Sequence, residues 1–82
     1  MSQDLCRIVN ELVVAKGKKT NAYYCATITS KDILERLGIP INRHSHNTVK
    51  RGVGMHYPET QYESIGENGQ NGWVLHIKIR SK

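Results

Sequence analysis

The sequence predicts an α+β domain in which a helix, a strand, two further helices and a two-stranded hairpin follow one another. Three observations lead there. Apolar residues recur with the helical period from Leu5 to Val13 and again from Ile33 to Leu37; Gly38 and Pro40 then break the chain; and between Trp73 and Arg80 the period falls to two. With 82 residues the chain has room for one core, so residues 1–82 are read as a single domain that buries about two thirds of its unfolded surface.

The first helix is expected over Ser2 to Lys16. Leu5, Ile8, Val9, Leu12 and Val13 share one side of it, and Gly17 stands just past its end. Tyr23 to Ile28 is rich in aromatic and β-branched residues and too short for a helix, so it reads as a strand. Thr29 and Asp32 have the spacing of a capping box, which starts a second helix near Ser30. Ile33, Leu34 and Leu37 fall on one side of that helix and Lys31, Asp32, Glu35 and Arg36 mostly on the other, so the apolar stripe must find a core. Gly38 can end the helix in the left-handed conformation, and Pro40 cannot continue it.

A third helix follows, capped by Asn42 or Ser45 and running from Arg43 to Val53. Ser45, Thr48, Val49, Gly52 and Val53 form a face small enough to pack closely on the preceding helix. Arg43, His46, Asn47 and Lys50 occupy the opposite face, flanked by His44 and Arg51. Arg and Lys can donate to guanine O6 and N7, Asn can pair with adenine, and further cations neutralise phosphates, so this face is assigned to the major groove of DNA. A merely solvated basic helix face is the alternative.

The last elements form a hairpin. Gln61 to Ile65 pairs with Trp73 to Arg80, and the seven residues from Gly66 to Gly72 carry two Asn-Gly pairs that compete for the turn, so a long, flexible tip is expected. The chain has no Phe, which leaves Trp73 and four tyrosines as aromatic core material, and Trp73 is expected to anchor the sheet to the first helix.

This order resembles the winged-helix family of helix-turn-helix DNA-binding domains, and the resemblance runs from Leu5 to Arg80. It implies a third helix in the major groove and a hairpin that serves as the wing. The DNA-contacting residues are then expected to be Arg43, His44, His46, Asn47, Lys50 and Arg51, with Lys18 and Lys19 on the backbone and Asn68 and Gln70 at the wing tip. The sequence departs from the family in two ways. The turn from Gly38 toward Ser45 is long, and the wing carries Glu59, Glu63 and Glu67 with no Lys or Arg before Lys78.

The formal charge of +5 favours a polyanionic partner. Lys16, Lys18 and Lys19, then Arg43, Lys50 and Arg51, then Lys78, Arg80 and Lys82 form three clusters that are expected to share one surface. Double-stranded DNA is the expected partner, in transcription regulation or in the DNA-reading part of a recombination, replication or mobile-element system; a homodimer or larger assembly is left open. The other reading is a protein-interaction module that uses the third helix or the acidic hairpin. His44, His46 and His56 with Cys25 or Glu59 lack the spacing of a zinc or hydrolase motif, so no metal, cofactor, small-molecule ligand or catalysis is expected. Cys6 and Cys25 read as reduced, buried thiols. No apolar run approaches a membrane span and the first residues do not form a signal peptide, so a cytoplasmic, nucleoid-associated location is expected.

Overall fold

The computed structural model describes residues 2–20 and 22–80, which fold as three helices on a four-stranded antiparallel sheet. The elements are α1 (Ser2–Lys16), β1 (Lys18–Lys19), β2 (Tyr23–Thr29), α2 (Ser30–Leu37), α3 (Arg43–His56), β3 (Gln61–Ser64) and β4 (Trp73–Arg80). The strands lie in the order β1-β2-β4-β3, so the chain's last strand is central and pairs with both β2 and β3. This is the expected α+β order with one addition. Lys18 and Lys19, for which the sequence pattern gives no regular element, pair with Cys25 and Tyr24 as a short edge strand.

One core joins all the layers. Leu5, Ile8, Val9, Leu12 and Val13 of α1 are buried against Ala26 and Ile28 of β2, Ile33 and Leu34 of α2, Val49 and Val53 of α3, and Leu75 and Ile77 of β4. Leu37 is only partly buried, whereas Leu34 is fully so, and the weight of the second helix's packing therefore rests on Ile33 and Leu34.

The helix ends follow their local chemistry. Thr29 and Asp32 make the expected capping box, and Gly38 ends α2 in the left-handed conformation at φ 71°. Burial by itself raises the Asp32 carboxyl; the Thr29 amide and hydroxyl together with the Lys16 ammonium outweigh it and hold the group below its ordinary value. Asn42 caps α3, its Oδ1 accepting from the Ser45 amide at 2.9 Å, and the Ser45 hydroxyl accepts from the Asn42 amide at 2.9 Å. The turn between α2 and α3 thus covers Gly38 to Asn42. The third helix also runs three residues beyond the expected Val53, to His56, after which Tyr57 reaches back to α1 with its hydroxyl 3.1 Å from Asn10 Oδ1. Burial and the neighbouring Cys6 push that phenol up to about 12.

The hairpin tip is long, as expected, and it is internally hydrogen-bonded. A 3-10 turn, Glu67–Gly69, sits inside it; Ser64 Oγ donates to the Gly66 carbonyl at 2.7 Å and accepts from the Gly69 amide at 2.6 Å. Gly69, at φ 76°, lies flat against the Trp73 ring where no Cβ fits. Trp73 itself does not reach the first helix as expected. It begins β4 beside α3 and packs there, because α1 covers the same face of the sheet farther along, over β2.

Candidate nucleic-acid interface

The exposed face of α3 is rotated from the one read in the sequence. At 100° per residue, Arg43, Asn47, Arg51 and Met55 form a line up the outward side of the helix, with His44 and Thr48 beside it. Arg43, His44, Arg51 and Met55 are exposed and Asn47 and Thr48 half-buried. No acidic residue occurs anywhere in α3, and none of its cations joins an ion pair among the described residues. Of the cations on the other two helices, all but Lys31 are paired with acids among the described residues. Arg7 and Arg36 meet Glu11, and Lys16 meets Asp32 at 3.5 Å. The positive charge of the helical layer is therefore uncompensated mainly on α3.

His46 is not on this face, which corrects its assignment as a groove contact. It is 4% exposed, with Nδ1 2.7 Å from the Ser30 hydroxyl. Ser30 Oγ also accepts the Trp73 amide at 3.0 Å, so one hydroxyl joins His46 to the start of β4. Burial pushes the imidazole below its ordinary value. The cause of the misreading is positional: His46 stands three residues before Val49 and seven before Val53, so it belongs to the buried stripe of the helix. That spacing was visible in the sequence and outranks the polarity of the residue.

Asn47 and Lys50 line the hairpin side of α3. Asn47 Oδ1 accepts the indole N–H of Trp73 at 2.9 Å, and the Lys50 ammonium lies 4.4 Å from the Trp73 ring centre and 5.1 Å from that of Tyr62. Tyr62 and Trp73 meet edge to face with centroids 6.5 Å apart. A groove of about 340 Å³ runs between helix and hairpin, lined by Asn47, Lys50, Arg51, Gly54 and Tyr62. Burial holds the Tyr62 phenol above its ordinary value, so it remains a donor near neutral pH. Asn68 and Gln70 are exposed on the hairpin tip. Sequence reading did not foresee the roles of Trp73 and Tyr62 here; their alternation places them on the inner face of the sheet but does not say which helix they meet.

Lys18 and Lys19 lie elsewhere, so the three cationic clusters do not share one surface. They form β1, the edge opposite β3, about 14 Å away by strand spacing. By register Lys18 faces Cys25, which faces Lys78, on the side of the sheet turned from the helices. Lys16, Lys18, Thr27, His76 and Lys78 line a trough of about 830 Å³ there, while Lys19 turns over the Tyr24 ring. His76 bridges Thr27 and Glu63 across it. Lys82 lies outside the described residues. Cys6 and Cys25 are free and half-exposed, not fully buried. Among the described residues no group of three or more His, Cys, Asp or Glu side chains is placed to hold a metal, and no helix is long and apolar enough to cross a membrane.

Comparison with protein-family models, curated proteins and solved structures gives no match to this chain.

Proposed function

We propose that the protein is a double-stranded DNA-binding module of winged-helix type, with α3 in the major groove. The observation that carries this reading is the line Arg43, Asn47 and Arg51 on a helix face free of acids, beside a hairpin locked to the same helix. Side chains one helical turn apart can follow successive base edges, and unpaired guanidinium groups either read guanine or neutralise phosphates. The order of the elements supports the same reading. The hairpin adds little attraction of its own, since Glu63 and Glu67 face the solvent there.

The protein-interaction reading keeps one supporting observation: Met55, 77% exposed, extends the same line with an apolar side chain. Selection from a random duplex library at two salt concentrations separates the two. The DNA reading expects a shared sequence to be enriched and affinity to fall steeply with salt; no retention of duplex at low salt favours a protein partner.

A further inference from the structure

We propose that Trp73 sets the hydrogen-bonding sense of Asn47, so that the exposed face of α3 selects guanine; this rests on the duplex-DNA reading above. An indole N–H can only donate, so the Asn47 atom 2.9 Å from it is the oxygen, and the orientation of the amide follows. The indole is itself held in place. Its main-chain amide donates to Ser30 Oγ at 3.0 Å, Lys50 covers its face and Tyr62 meets it edge-on. Asn47 cannot turn over without leaving a half-buried donor unpaired.

Recognition of adenine by asparagine needs the amide oxygen and nitrogen aimed together at N6 and N7. Here the oxygen is directed at the hairpin, and the group left for a ligand is the NH2, which only donates. Arg43 and Arg51, one turn to either side, are donors as well. The Thr48 hydroxyl is turned back onto the His44 carbonyl at 2.9 Å. A row of donors matches the major-groove edge that offers two acceptors, guanine N7 and O6. From Arg43 to Arg51 the row rises about 12 Å, or about three to four base steps. The ligand is thus a duplex with a short guanine run, and Trp73 is a positioning residue that acts through Asn47.

Fluorescence anisotropy at matched low salt tests this with three labelled duplexes: one with a central guanine run, one with an adenine run, and a guanine run built from 7-deazaguanine, which lacks the N7 acceptor. The parent protein binds the guanine duplex at least about tenfold more tightly than either of the others. Trp73→Phe keeps a ring but removes the N–H, so the guanine-to-adenine ratio falls toward one while binding to mixed-sequence DNA persists. Asn47→Asp retains an acceptor for the indole and removes the donor, and it loses the same ratio with the fold intact by circular dichroism. An unchanged ratio in both variants, or an adenine preference in the parent, overturns the proposal and leaves duplex binding standing. Failure of the parent to bind any duplex at low salt overturns the DNA reading and this proposal with it.

Discussion

Ser30 and His46 meet in the core at 2.7 Å, one from the first turn of α2 and the other from the first turn of α3. Both are almost fully buried, and the Ser30 oxygen also accepts the amide that opens β4. One hydroxyl therefore ties two helices to the central strand. A buried polar network of this kind holds its geometry only while each member keeps its partner.

Acid should weaken this joint. Burial lowers the His46 pKa in the folded protein below its unfolded value near 6.5. The neutral form favours the fold, so stability is full above that value and falls as pH drops below it, where only the unfolded chain takes up the proton. The loss is at most about 1.4 kcal/mol per pH unit until the folded pKa is reached. Denaturant melts between pH 7 and 5 should show this slope in the parent and a shallower one in His46→Asn. Equal slopes would mean that His46 titrates normally.

Thr60 provides a prediction of opposite sign. Its Oγ1 is buried with no hydrogen-bond partner among the described residues, so the hydroxyl was desolvated without return. Thr60→Val replaces it with a methyl group of similar size and should raise stability by about 1 kcal/mol. A lower melting temperature in the variant would show that the hydroxyl has a partner.

The second helix separates two leucines. Leu34 is fully buried and Leu37 only partly, so Leu34→Ala should cost about 2 to 5 kcal/mol and Leu37→Ala clearly less. Thermal melts of the two variants side by side check the order, and the reverse order would mean that α2 is rotated about its axis.

Gly69→Ala should damage the hairpin. Its φ of 76° is unfavourable for a residue with a side chain, and the added methyl meets the Trp73 ring. A loss of about 1 to 3 kcal/mol is expected, with a shift in the emission of the single tryptophan. A silent substitution would show that the tip does not pack on Trp73 as described.

Much of the fold was legible because its signals are local. The capping box at Thr29, the left-handed Gly38 and the alternation from Trp73 to Arg80 each place an element without knowledge of the rest. The site was less legible because it depends on how elements meet. Polarity put His46 outside, although its spacing from Val49 and Val53 puts it in the core stripe, and Arg51 moved from the flank to the middle of the exposed face as the helix turned accordingly. The contacts of Trp73 with Asn47 and Lys50 join residues more than twenty positions apart, and no local pattern encodes them. The cationic clusters were equally visible, but their separation onto two surfaces follows from the strand order, which sets β1 and β3 on opposite edges.

The assignment of α3 as the DNA-reading element is tested by titrating one selected duplex with the parent, Arg43→Ala/Arg51→Ala and Lys18→Ala at two salt concentrations. The double variant should lose at least about 2 kcal/mol of binding and show a shallower salt dependence, with an unchanged melting temperature, because both side chains are exposed. Lys18→Ala, on the far edge of the sheet, should bind nearly as the parent does. Full affinity in the double variant with its fold intact would contradict the assignment.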